Sequence, residues 1–373
     1  MVKIRKQKSK IRIGIIFGGK STEHEVSLQS AKNVIAALDK NKYEPILIGI
    51  DKSGKWHVSK NSANFLLNAE NPSLIKLNKA FTNEVMLAAG EQGGTIVPLS
   101  RQQQTKIVDV VFPVLHGPLG EDGTVQGLLK LMDVPFVGAG VLGSAIGMDK
   151  DVQKRLLRAA NIPVAEFIVV RRSELKNLNY AKIKKFLGLP LFVKPANAGS
   201  SVGVSKVKNE KEFVAAVRHA FLYDEKILVE KAIVGREIEV SVLGNENPKA
   251  SVPGEVLPQH EFYSYEAKYI DENGAAIQIP AKLLKGVANQ IQKLAVETFK
   301  VLCCEGMARV DCFLTSKNKI YINEINTIPG FTKISMYPKL WQATGLSYGK
   351  LIDELVSLAI ERYEKEKNTR TSY

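Results

Sequence analysis

Long apolar runs are missing from this sequence: no stretch of its 373 residues approaches the roughly 18 consecutive apolar side chains that a bilayer-spanning helix needs. Membrane insertion is therefore not expected. The basic opening, Met1 to Lys10, followed by apolar Ile11 to Phe17, has the outline of a secretion signal. Gly18-Gly19-Lys20-Ser21 follows where a cleavage site would stand, so a first buried strand and a cytoplasmic protein are the expectation. Cysteine is scarce, with 3 in all. Cys303 and Cys304 are adjacent, with Cys312 close by, which excludes the C-x-x-C spacing of a zinc or redox site and predicts small buried thiols. Acidic residues are absent from the first 12 positions, where Lys3, Arg5, Lys6, Lys8, Lys10 and Arg12 supply 6 of the positive charges behind the net +14. Residues 1–10 read as a disordered basic arm. Aromatics are 7% of the chain and are not interleaved with basic residues as a nucleic-acid platform requires, so no nucleic-acid partner is expected. The remaining positive excess suits an anionic substrate.

What is present is a chain 45% apolar, long enough for two or three domains, organised around residues 305–336. Apolar and polar residues alternate on both sides of a polar turn at Ser316 to Asn318, which predicts two paired strands. Arg309 and Asp311 lie two apart on the first strand, and Glu324 and Asn326 lie two apart on the second, so each pair projects from one face. Two carboxylates and an amide carbonyl offer oxygen ligands, which suit a hard cation such as magnesium. An arginine beside them suits gathered negative charge such as phosphate. A strand-surface ion pair would explain Arg309 and Asp311 equally well in isolation.

Elsewhere the chain alternates strand and helix patterns. Residues 11–17 form an apolar run ending at Gly18-Gly19, with a helical pattern beginning near Glu25; Glu23 and Glu25 at this junction suit an amine. Further strands are expected at 44–50 and 108–114, with residues 58–107 an elaboration between them. His116 and Glu121, in a glycine-rich loop before a helix starting at Gln126, are candidates for substrate contact. A new unit begins near Met148-Asp149-Lys150, with a helix over 153–160. Lys194 then closes a strand ahead of the small-residue loop Gly199-Ser200-Ser201-Val202-Gly203. Successive backbone N–H groups in such a loop cradle phosphate, although the order is not that of a P-loop. Glu237 and Glu239 make one face of a strand acidic. Residues 261–273, with Tyr263, Tyr265, Lys268 and Tyr269, resemble a lid, and 283–302 and 350–366 are amphipathic helices.

Taken in order, G-G-K-S-T-E-H-E-V-S, H-G-P-L-G-E-D-G, M-D-K, V-K-P-A-N-A-G-S-S-V-G, E-A-K-Y, R-V-D and N-E-I-N-T-I-P-G-F-T-K-I-S resemble the D-alanine–D-alanine ligases of the ATP-grasp family, from about residue 11 to residue 360. The resemblance implies an α/β chain: a Rossmann-like N-terminal domain (11–146), then an ATP-grasp fold of a central subdomain (147–235) and a C-terminal subdomain with the metal site (236–373). It implies ATP-dependent joining of two D-alanines through a D-alanyl phosphate. By carry-over, Lys150 and Lys194 meet ATP phosphates, the loop with Ser200 and Ser201 closes over them, Lys268 of the lid also binds ATP, and Glu230, Lys231, Ile233 and Glu237 hold adenine and ribose. Asp311, Glu324 and Asn326 would bind two magnesium ions, with manganese as a substitute. Glu23 would hold the first D-alanine's ammonium, linked through Ser200 and Tyr269. His116 would stand against the substrate, and Arg309 with the backbone near Gly330 would stabilise the developing oxyanion. Ser335 and Met336 would bound the second D-alanine. A homodimer is also implied. The rivals are a ligase that accepts D-lactate, against which Tyr269 speaks, and a regulatory module that has lost catalysis, against which the presence of Arg309, Asp311, Glu324 and Asn326 speaks.

Overall fold

Ile13, Ile15 and Phe17 of the first strand pack beneath the first helix on Leu28, Ala31 and Val34, while Ile16 faces Ile48 and Leu129 on the other side. A strand apolar on both faces belongs in the middle of a sheet covered twice. In the computed structural model, which describes residues 10–59, 64–72, 74–90, 93–99, 106–258 and 275–370, that is where it lies. Strand β1 (Ile11–Gly18) runs parallel to β2 (Tyr43–Ile50) on one side and to a strand at Val110–Val114 on the other, with helix α1 (His24–Ala37) packed against it. Strands drawn from residues 56–108 extend this sheet. Beyond β2 come β3 (Trp56–Ser59), β4 (Thr82–Gly90), β5 (Gly93–Pro98) and β6 (Lys106–Val108), all antiparallel, and with β7 (Val110–Val114) the sheet has 7 strands.

Helices α2 (Thr124–Leu131), α3 (Val141–Met148) and α4 (Lys150–Ala159) lead to the second sheet. The last begins three residues earlier than its apolar pattern suggests, because Asp149 caps it by accepting from the N–H groups of Asp151 and Val152. The second sheet is four-stranded and antiparallel, in the order β8 (Phe167–Arg171), β11 (Lys226–Lys231), β9 (Leu191–Pro195), β10 (Ser205–Val207). Helices α5 (Tyr180–Leu187) and α6 (Glu210–Ala220) cover one face with Ile183, Leu187, Phe213 and Val217.

The third sheet is centred on β12 (Arg236–Gly244), which carries β13 (Lys249–Ala250) and β14 (Gly254–Pro258); β15 (Ala275–Gln278) pairs with β14. Helix α7 (Lys285–Val301) buries Val287, Ile291, Ala295 and Phe299 on Ile238, Val240, Val310 and Cys312. The chain continues into β16 (Gly306–Leu314) beside β12 and β17 (Ile320–Asn326) at the edge. Helices α8 (Met336–Ala343) and α9 (Tyr348–Lys367) follow, and Leu351, Ile352, Leu355 and Val356 of α9 join the core of the first sheet with Ile13, Val110 and Phe112. The thiols correct one expectation. Cys304 and Cys312 are buried, but Cys303 is exposed, because the chain leaving α7 turns through a left-handed conformation there, φ 54°.

Candidate active site

Alternation leaves β12, β16 and β17 with one apolar face under α7 and one polar face. Register then decides what meets what. Glu239 stands opposite Asp311, which stands opposite Glu324, and Arg309 stands opposite Asn326. The Arg309 guanidinium donates to both Asp311 oxygens at 2.8 and 2.7 Å and lies 3.0 Å from Glu239. The Asn326 amide donates to Asp311 at 3.0 Å. The four residues expected to converge do so. Between Asp311 and Cys312 the register slips by one, since Cys312 faces Ile322, and Asn323 is the extra residue of a bulge. Among the described residues no three His, Cys, Asp or Glu side chains are arranged to hold a metal ion unaided. A third donor would be the Asn326 carbonyl oxygen, and the resulting all-oxygen set fits a hard divalent cation.

Lysines from the second unit face this surface. Lys150 and Lys154 are one helical turn apart on α4 and so share a face. Lys150 donates to the Ala198 carbonyl at 2.7 Å and lies 3.5 Å from Glu324. Lys154, wholly buried, lies 3.1 Å from Glu230 and donates to the Asn323 carbonyl at 3.2 Å. Lys194 reaches the other oxygen of Glu230 at 3.1 Å. Burial alone would raise the Glu230 carboxyl, but the two ammonium groups outweigh it and hold the group ionised, below its usual range. Burial pulls Lys154 down, with Glu230 opposing. The sequence reading passed over Lys154; its spacing from Lys150 was the available signal.

The first unit supplies a third side. Glu23, just ahead of α1 and buried, accepts a hydrogen bond from the Ser200 hydroxyl. Ser200 and Ser201 both have left-handed backbone, φ 49° and 61°, which non-glycine residues seldom adopt. Gly199 lets the loop come close, since a Cβ there would stand 2.9 Å from Glu23 Oε2 and the glutamate tip would have to shift. Glu121 accepts from the Gly117 N–H at 2.9 Å, and burial, then the nearby Glu23 charge, pushes its carboxyl upward. His116 is enclosed: one ring nitrogen bonds to Ser30 at 3.2 Å, the other to the Ile328 carbonyl at 3.0 Å, and burial lowers its pKa to about 4, leaving it neutral. The Ser30 hydroxyl accepts from the Phe331 N–H at 3.2 Å, which fastens the loop after β17 to the first unit.

In that loop Gly330 is half-buried, the Ser335 hydroxyl lies 2.9 Å from the Thr332 N–H, and Met336 packs on Val256 and Leu340. Lys231 is exposed at the end of β11, with its N–H on the Glu166 carbonyl at 2.8 Å, while Ile233 and Glu237 are half-buried nearby. Lys268 and Tyr269, with the expected lid over 261–273, lie outside the described residues.

A lysine-bearing antiparallel sheet set against a carboxylate-bearing one is the arrangement of an ATP-grasp protein. Comparison with known proteins narrows this class. Residues 12–139 match the family model for the D-Ala-D-Ala ligase N-terminus, and residues 156–357 match that for the C-terminus. The chain is 56% identical over 364 residues to a D-alanine–D-alanine ligase of Oceanobacillus iheyensis, covering 97% of this chain and 99% of that protein. Among solved structures, a D-alanine–D-alanine ligase from Coxiella burnetii superposes with TM-score 0.84 at 40% identity, covering 96% of each chain. The VanG D-Ala:D-Ser ligase from Enterococcus faecalis gives 0.82 at 36% identity, covering 94% of this chain and 100% of that one. The chain belongs to the D-alanine–D-alanine ligase family.

Proposed function

We propose that this protein joins two D-alanines to D-alanyl-D-alanine at the expense of ATP, through a D-alanyl phosphate, as a step towards peptidoglycan precursors. The observation that carries the reading is the meeting of Glu23 with Ser200. An acidic group suited to an amine sits directly against a small-residue loop suited to phosphate. Lys150 and Lys194 neutralise the ATP phosphates, and Ser201 and Lys268 close on them. Glu230, Lys231, Ile233 and Glu237 hold adenine and ribose. Glu23 anchors the first D-alanine's ammonium, with Ser200 and Tyr269 completing the link, so that its carboxylate can attack the γ-phosphate. Neutral His116 supports this corner without competing as a cation. Arg309 and the backbone near Gly330 stabilise the oxyanion formed when the second D-alanine's amine attacks, and Ser335 and Met336 bound that second substrate. Magnesium, or manganese in its place, held by Asp311, Glu324 and Asn326, would supply charge neutralisation of the phosphates. The same reading takes the chain as three units divided near residues 146 and 235, acting in the cytoplasm as a homodimer.

Incubation with ATP, magnesium and D-alanine, with and without D-lactate or D-serine, followed by mass spectrometry, tests the proposal. D-alanyl-D-alanine with ADP and phosphate is the expected outcome. A depsipeptide or a D-alanyl-D-serine product in preference would overturn the acceptor assignment, and ATP binding without any ligated product would overturn the reaction.

A further inference from the structure

Glu230 is held by two ammonium groups that differ in their freedom. Lys194 retains 11% of its side-chain exposure, whereas Lys154 has none. Lys154 is also fixed at its tip from a third direction, because it donates to the carbonyl of Asn323. Asn323 is the extra residue of the bulge in β17, whose backbone the strand ladder leaves over. One ammonium group thus joins α4, β11 and β17, tying helix, lysine sheet and carboxylate sheet at one point. Lys194 by contrast keeps a small exposed fraction, and Glu230 is its polar side-chain partner among the described residues. A buried carboxylate stripped of its last cation is strongly disfavoured, so a lysine that alone neutralised Glu230 could not leave it.

We propose that Lys154 is a positioning residue, the permanent counter-ion of Glu230, which frees the Lys194 ammonium to transfer from Glu230 to the phosphates of a bound nucleotide. The inference rests on the nucleotide reading given above. Lys154 acts through Glu230 and touches no phosphate itself.

Calorimetric binding of ATP and of adenosine to the full chain separates these roles, because only ATP needs Lys194 on phosphate. Lys154→Met, close in length but uncharged, should weaken ATP by roughly tenfold or more while changing adenosine by less than about twofold. The KM for D-alanine should stay as it is. Equal losses for both ligands, or no loss for either, would overturn the proposal, since a merely structural lysine would affect adenosine as much as ATP. The double variant Lys154→Met with Glu230→Gln removes a buried cation and a buried anion together, and it decides the matter even where the single variant fails to fold. With no carboxylate to retain Lys194, its ratio of adenosine to ATP dissociation constants should return to the wild-type value. A ratio still collapsed in the double variant would mean that Lys154 meets phosphate directly. If the wild-type chain binds adenosine as tightly as ATP, the nucleotide reading fails first, and this proposal falls with it.

Discussion

Two polar clusters, one at the end of β2 and one on the third sheet, contain much the same parts and differ in where their partners come from. At the first, buried Asp51 accepts from Lys79 at 2.6 Å, from the Ser53 hydroxyl at 2.6 Å and from the Lys55 N–H at 3.1 Å, with His57 at 3.2 Å. Lys55 in turn meets Glu84 at 2.8 Å, so two carboxylates face two ammonium groups. Burial would raise the Asp51 carboxyl, but these donors hold it far below its ordinary range. Every partner lies between residues 51 and 84, and the cluster closes on itself. On the third sheet, Glu239, Asp311 and Glu324 stand in one register row, with Arg309 beside them on the sheet and Lys150 reaching in from α4. A cluster that balances its own charge holds a fold together. One whose carboxylates line a shared face and draw cations from separate elements is placed to take up a ligand between those elements.

The largest effect should come from Asp311→Asn. Loss of one carboxylate from the row should lower ligation by at least about a hundredfold while moving the thermal midpoint little, a split read by product assay beside calorimetry. A large loss of stability instead would erase the distinction between the clusters. Asp51→Asn should do the reverse, costing about 1–3 kcal/mol of stability with kcat unchanged. The pH dependence carries a sign. Because the folded carboxyl is depressed, its contribution is present above the unfolded value of about 4 and is lost as pH falls through the folded one. Denaturant titrations of the two proteins should therefore diverge at pH 7 and converge in acid. The smallest effect belongs to Cys303→Ser, which should change stability by less than about 0.5 kcal/mol, whereas the same change at buried Cys304 should cost clearly more.

Much of this was legible in the sequence where the argument needed only a local period. Alternation along 305–326 put Arg309, Asp311, Glu324 and Asn326 on one face, and the hairpin register made them neighbours. The phosphate-type loop was likewise readable from its small residues. Lys154 was not, because its partners Glu230 and Asn323 lie on two other elements, and the bulge that frees Asn323 leaves no mark in an otherwise regular strand pattern. Strands β4 and β5 were hidden for another reason. At a sheet margin little is buried beyond Val85 and Ile96, and Met86 is exposed, so the apolar alternation that announces a strand is thin. Cys303 misled because its neighbour is buried and the left-handed turn between them is not written in either residue.

The packing of α9 on the first sheet has a consequence for biosynthesis. Ile13, Val110 and Phe112 share a core with Leu351, Leu355 and Ala359, so the first sheet is completed by a helix translated long after it. At ordinary elongation rates the ribosome needs roughly ten to fifty seconds to travel from Phe112 to Leu351. For that interval the first sheet waits with its apolar face only partly covered, by α1, and a nascent chain halted before Leu351 would present the remainder to whatever chaperone or aggregation partner is near.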